Sequence, residues 1–202
     1  LENGSLPDQL FVISKQYKDI ILENCPGLDV RLASAFRFSY LYDIKRNNLN
    51  NDKIFILIAL PMNINDSIEI LNLFLSITNI NKKIEILVKH HPGYSKAEFS
   101  KKVPEFLNDT FNVTSDSMEL LLEKISLLVS SASSVTAEAA CLGIPVAIYG
   151  NRQGVTLNPI SNKNNKLNNN IFYSKEQLEI FINNSISKRN YKTSIKKSFF
   201  VD

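Results

Sequence analysis

The chain is short of the features that most readily announce a function. Only 6 of its 202 residues are glycine, and none builds a Walker loop or a dinucleotide fingerprint, which argues against an ATPase or a nicotinamide dehydrogenase. The two cysteines, Cys25 and Cys141, lie far apart and in no metal-ligand spacing. Cys141, within Ala139-Ala140-Cys141-Leu142, reads as a buried helical thiol, and this usage suits a reducing compartment. The two histidines are adjacent, His90 and His91, and neighbouring side chains on extended backbone point to opposite faces. They are poor partners for one tetrahedral ion, and the nearest further ligand is Glu98, so no metal site is expected. Charge of one sign is also scarce. Against 20 acidic residues stand 23 basic ones, a net charge of +3, which gives no reason to propose a nucleic-acid tract. Lys188, Arg189, Lys192, Lys196 and Lys197 form the one basic cluster, read either as a solvated tail or as an attraction to anionic lipid or substrate. No apolar run approaches the roughly 20 residues that span a bilayer, and no secretion signal opens the chain. The start at Leu1-Glu2-Asn3-Gly4, without an initiator methionine, points to a fragment or an excised domain.

What is present is a rhythm. Hydrophobic content of 44% fits a folded globular protein. Leu10 to Ser14 reads as a strand, Lys15 to Asn24 as a helix stopped by Pro26-Gly27, and Val30 to Ala35 as a second strand. The polar run Lys45 to Asp52 reads as a linker or exposed loop, with a domain boundary between Arg37 and Asp52. Beyond it, Lys53 to Leu60 is nearly all apolar, as in a strand covered on both faces. A helix over Asn65 to Ile77 follows, then a strand over Ile84 to Val88 and a helix over Lys96 to Leu107, interrupted near Pro104. Phe111 to Val113, Ile125 to Val129, Pro145 to Tyr149 and Ile171 to Tyr173 read as further strands. Ser117 to Glu123 and Thr136 to Leu142 read as helices, the latter stopped by Gly143. Ser161 to Asn170 is nearly pure Asn, Lys and Ser and reads as a loop. Ser174 caps a last helix over Lys175 to Ser187, with Gln177 completing a capping-box pattern. Strands alternating with helices at these distances predict an α/β fold with a Rossmann-like parallel sheet.

Two polar signatures sit at the ends of apolar runs. Lys89-His90-His91-Pro92 follows one strand, and Ser130-Ser131-Ala132-Ser133-Ser134 follows another and opens an alanine-rich helix. In neighbouring strands of one parallel sheet both would lie on one rim, where doubly wound sheets hold ligands. His91 is the histidine expected to face the crevice, because Pro92 fixes the turn and Gly93 admits a close approach. A histidine that merely closes a strand is the alternative. The serines offer hydroxyls beside the unsatisfied N–H groups of a helix start, a combination that holds phosphate; simple capping would explain one of them. Glu138 could accept the hydroxyls of a ribose or interact with the first turns of its own helix. Arg152 could meet a phosphate from the rim or stay solvated. A hydrolase would need His91 to activate Ser133 or Ser134, and no Gly-x-Ser-x-Gly elbow occurs.

These two signatures, with Glu138 and with Gly143-Ile144-Pro145-Val146, resemble the C-terminal nucleotide-binding half of a two-domain glycosyltransferase-B enzyme. Most similar are bacterial sialyltransferases, polysialyltransferases and Kdo transferases of capsule or lipopolysaccharide synthesis. The likeness spans Lys53 to Ser187. Ser34-Ala35-Phe36-Arg37 is similar to the Gly-Ser-Pro-Arg segment after the interdomain crossover, with Ala35 and Phe36 departing from it. The resemblance implies a CMP-sugar donor of sialic acid or Kdo type and no cofactor. His91 would contact the donor phosphate and support its departure, most effectively when protonated and hence with a pH dependence in the neutral range. Ser133 and Ser134, beside Ser131 and Pro92, would bind the same phosphate, Glu138 would meet the ribose, and Arg152 would reach a phosphate or sugar. It further implies a glycan or lipid-linked glycan acceptor, work at the cytoplasmic face of a membrane, and a catalytic base supplied by an N-terminal domain. The expected organisation is 1–36 as the end of that domain or its crossover, 37–187 as the donor-binding domain, and 188–202 as a basic tail, inactive alone. A UDP-sugar-dependent transferase or 2-epimerase, with Arg152 or Arg37 as an extra phosphate partner, is the alternative. A polyol-phosphate transferase and a non-catalytic nucleotide- or glycan-binding module also remain open.

Overall fold

A computed structural model describes residues 6–46, 53–77, 83–103, 111–131, 133–151 and 171–187. The chain parts into two units between Asp43 and Ile44. The first holds strand β1 (Gln9–Val12), helix α1 (Lys15–Asn24) and strand β2 (Asp29–Leu32). The two strands pair in parallel, Gln9 opposite Asp29 through Val12 opposite Leu32. Ser14 starts α1 by accepting the Tyr17 N–H at 3.2 Å. The second strand was expected to continue to Ala35 but ends at Leu32; Ala33 still donates to the Val12 carbonyl at 2.9 Å. A 3-10 helix over Phe36–Tyr42 follows, where the sequence offered no helical periodicity.

The second unit runs β3 (Ile54–Ala59), α2 (Ile64–Leu75), β4 (Ile84–Lys89), α3 (Lys96–Lys102), β5 (Asn112–Val113) and α4 (Met118–Lys124). It continues with β6 (Leu127–Ser130), α5 (Ser134–Cys141), β7 (Val146–Tyr149), β8 (Ile171–Phe172) and α6 (Lys175–Ser187). The strands form one parallel sheet in the order β5-β4-β3-β6-β7-β8. The chain therefore builds outward from β3 to β5, returns to the other side of β3, and builds outward again to β8. This is the doubly wound order, with its switch point between β3 and β6. Ile56, Leu57, Ile58, Leu128, Val129 and Ala147 are at most 1% exposed, as expected of central strands covered on both faces.

Local chemistry sets the ends of these elements. α3 ends at Lys102, in keeping with the interruption expected near Pro104: Val103, its C-cap, has left the helical region, because a residue preceding proline is excluded from it; residues 104–107 lie outside the described residues. β6 starts at Leu127, because Ile125 is spent as the extended C-cap of α4. α5 ends in a Schellman motif. Gly143 takes φ 70° and donates to the Ala140 carbonyl at 3.0 Å, while Ile144 donates to that of Ala139 at 2.9 Å. Arg46, which the sequence placed in a polar linker, is an anchor. Its guanidinium donates to the carbonyls of Leu122 at 3.2 Å and Ile125 at 2.8 Å, at the C-terminal end of α4. Burial lowers it to about 10, so it remains a cation at neutral pH. The loop 161–170 and the basic cluster from Lys188 to Lys197 lie outside the described residues.

Candidate functional site

Because every strand of the second unit runs the same way, all the loops that follow strands leave at one edge. Register fixes which of them are neighbours: Ala59 pairs with Lys89 on one side and with Ser130 on the other. The histidine and serine signatures therefore begin on the last residues, Lys89 and Ser130, of the two strands that flank β3. With strands spaced by nearly 5 Å, those ends stand about 10 Å apart, within the span of a phosphate and the side chains that hold it. The edge is tied together by Leu60 donating to the Lys89 carbonyl at 2.9 Å and by the Ser130 hydroxyl donating to that of Ala59 at 2.7 Å.

The two histidines have different surroundings. The His90 ring stacks on Phe99, with centroids 5.7 Å apart, and its Nδ1 lies 3.1 Å from the His91 carbonyl. His91, half-buried in the loop after β4, accepts the Gly93 N–H on Nδ1 at 3.0 Å. A Cβ at Gly93 would stand 3.0 Å from the same nitrogen, so the ring's place depends on this glycine. Pro92 is exposed. Tyr94 links this loop to the one after β3 by donating to the Met62 carbonyl at 3.0 Å. Glu98 is engaged in a capping box, accepting from the N–H and hydroxyl of Ser95, and these bonds hold its carboxyl below the usual range.

The serines divide by role. Ser130 is wholly buried and belongs to the sheet. Ser131 is buried too, and its carbonyl accepts the Ser133 N–H at 2.8 Å. Ser133 is the N-cap of α5 with extended backbone, yet its hydroxyl makes no cap bond. Serine is favoured there because its oxygen ordinarily accepts from the first turn; here that oxygen is not spent on the helix. Ser134, the first helical residue, is exposed. Glu138 is 6% exposed on α5. Burial first, and then the charge of Glu138, push the Cys141 thiol up to about 12. Cys141 is therefore an inert packing group. Arg152 lies outside the described residues.

The sequence reading missed a polar cluster that joins the start of α2 to the end of β7. Asn151, just past β7, donates to Asp66 at 2.9 Å, and the Tyr149 hydroxyl donates to Glu69. Asp66 and Glu69 lie three residues apart on α2 and so share a face; that spacing, with a tyrosine ending an apolar strand, was the available signal. On the other side of β3, Lys89 donates to the Asp116 carbonyl at 2.6 Å and Lys124 pairs with the Asp116 carboxylate at 2.7 Å. Gly150 lies against Tyr173, where an added Cβ would come within 2.1 Å of the ring. Among the described residues no group of three or more His, Cys, Asp or Glu side chains could hold a metal ion.

No protein-family model and no curated protein sequence matches the chain. Solved structures do. S. aureus MnaA in its UDP co-structure aligns with a TM-score of 0.65 at 13% identity, over 98% of this chain and 57% of that one. A candidate UDP-N-acetylglucosamine 2-epimerase from Listeria monocytogenes aligns with a TM-score of 0.56 at 16% identity, over 94% and 55%. The wall teichoic acid polymerase TagF, in a form soaked with CDPG, aligns with a TM-score of 0.52 at 17% identity, over 95% and 50%. The fold is thus the α/β, Rossmann-like kind of the glycosyltransferase-B type. This chain spans about half the length of each of these structures.

Proposed function

We propose that the edge carrying His91, Ser131, Ser133 and Ser134 binds the phosphate of a nucleotide-activated sugar, and that the chain is the donor-binding half of a glycosyltransferase of surface-glycan synthesis. The observation that carries this reading is the placement of both signatures at the ends of the two strands on either side of β3, at the switch-point edge, with the Ser133 hydroxyl not used for capping. Helix N–H groups, hydroxyls and one imidazole N–H are complementary to phosphate oxygen. Glu138 is placed on the helix that starts at this site and is the candidate partner of the ribose. In the transfer itself an acceptor hydroxyl attacks the anomeric carbon. The bond from that carbon to the donor phosphate breaks, the nucleotide leaves with the electron pair, and the hydroxyl proton passes to a base. The residues of this edge stabilise charge on the departing nucleotide. Residues 1–36 are read as the end of the domain that supplies the acceptor site and the base, or its crossover, and residues 37–187 as the donor domain.

Among donors, the CMP-sugar implied by the motifs competes with a diphosphate-linked one. The names UDP and CDPG attached to the structural neighbours favour the latter, and a 2-epimerase is the corresponding second reading. Calorimetric titration with CMP, UDP and CDP-glycerol decides between them. Binding of UDP or CDP-glycerol at least about 10-fold tighter than CMP, a difference of about 1.4 kcal/mol, would support the diphosphate donor; the reverse order would restore the CMP-sugar. His91→Ala should weaken the preferred nucleotide by about 10-fold, the loss of one charge-assisted bond. Unchanged affinity would remove His91 from the site, and no binding of any of the three would overturn the function.

A further inference from the structure

The chain's two histidines are adjacent, and the atoms facing their Nδ1 nitrogens make opposite demands. A carbonyl oxygen can only accept, and the His91 carbonyl stands 3.1 Å from His90 Nδ1. A backbone N–H can only donate, and that of Gly93 points at His91 Nδ1 from 3.0 Å. A neutral imidazole carries one hydrogen, and the bond made by one nitrogen decides which nitrogen holds it. We infer that His90 and His91 hold opposite neutral tautomers, and that Gly93 is the positioning residue that leaves His91 with its hydrogen on Nε2 as a fixed donor.

This deepens the proposed function and rests on it for the identity of the ligand. A donor is what a phosphate oxygen requires, and the Nε2–H meets that requirement without an added proton. His91 therefore acts by donating a hydrogen bond and not by abstracting a proton, since the only lone pair on its ring is already occupied by the Gly93 N–H. His90, stacked on Phe99 and turned to a carbonyl, holds the loop. Gly93 acts twice: its N–H fixes the tautomer, and its missing side chain leaves room for the ring, since a Cβ would sit 3.0 Å from Nδ1.

Long-range proton–nitrogen NMR correlation on the intact chain tests the tautomers without any ligand, and with two histidines the spectrum holds two ring patterns. Recorded well above the usual imidazole range, it should show a protonated Nε2 with a bare Nδ1 for His91, and the reverse for His90. The same tautomer in both rings would overturn the inference. Gly93→Ala should alter the His91 pattern and leave that of His90 in place; an unchanged His91 pattern would remove Gly93 as its positioning residue. Nucleotide titration of two further variants tests the donor role. His91→Gln presents an amide N–H near the Nε2 position, whereas His91→Asn reaches only the Nδ1 position. Gln should keep affinity for the nucleotide preferred by the parent within about 3-fold, and Asn should lose about 10-fold. Equal loss in both would overturn the donor role. Failure of the parent chain to bind any nucleotide would overturn the proposed function, while the NMR result would still decide the tautomers.

Discussion

Burial and the neighbouring charge of Glu69 lift the Asp66 carboxyl above its ordinary value of 3.8, while the Asn151 amide pulls the other way. The folded state thus keeps this proton to higher pH than the unfolded chain does. Stability is lost as pH rises from 3.8 through the raised value, and the loss is complete above it. Asp66→Asn retains an acceptor oxygen for Asn151 and removes the charge facing Glu69. Thermal melts should give the variant a higher Tm than the parent at pH 7 and an equal one at pH 3. A lower Tm at pH 7 would show that the charge itself is needed. This cluster also marks the limit of what a sequence discloses about single residues. The histidine and serine signatures are local in sequence and could be read from it. The pairing of Tyr149 with Glu69 joins residues 80 positions apart, and only the sheet order brings them together.

Most elements were legible because their causes are local. Apolar runs marked the strands, and Ser117 and Ser174 marked helix starts, whereas Ser14, read as the end of a strand, is the N-cap of α1. Even so, the pattern at Ser174 closes differently from the reciprocal box expected. Gln177 donates its N–H to the Ser174 hydroxyl but accepts from the N–H of Tyr173, one residue earlier. The 3-10 helix over Phe36–Tyr42 was illegible for the opposite reason: it has no side-chain cap and no 3.6-residue period to find. Gly143 shows the reading at its clearest, because a helix that stops on glycine stops for a steric reason. At φ 70° a Cβ costs about 1–2 kcal/mol. Gly143→Ala should lower the unfolding free energy in urea by that amount. A change near zero would mean that the turn relaxes to a different geometry.

Across the whole molecule, the strand order is what turns two short motifs into one place. Alternating strands and helices implied a parallel sheet, but periodicity says nothing about which strand lies beside which. The signatures would have been strangers had β6 added outside β5 and not beside β3. The division between Asp43 and Ile44 falls within the span from Arg37 to Asp52 that composition marked, but composition did not say where within it: Arg46, in the polar run, is tied to α4 in the second unit. Among the described residues no helix is long and apolar enough to cross a membrane.

The parallel sheet also leaves an opposite edge, where strands begin, and it answers to different demands. Ser126, ahead of β6, donates its N–H to the Phe55 carbonyl at 2.8 Å, while its buried hydroxyl has no partner among the described residues. A hydroxyl shut away from water without a bond is a liability. Ser126→Ala should therefore raise the unfolding free energy by up to about 1 kcal/mol and leave every nucleotide affinity where it was; a destabilised variant would reveal a bond the hydroxyl does make. An engineer seeking a hardier protein has a free hand at that margin, because a change there stands a full strand's length from the rim proposed for recognition.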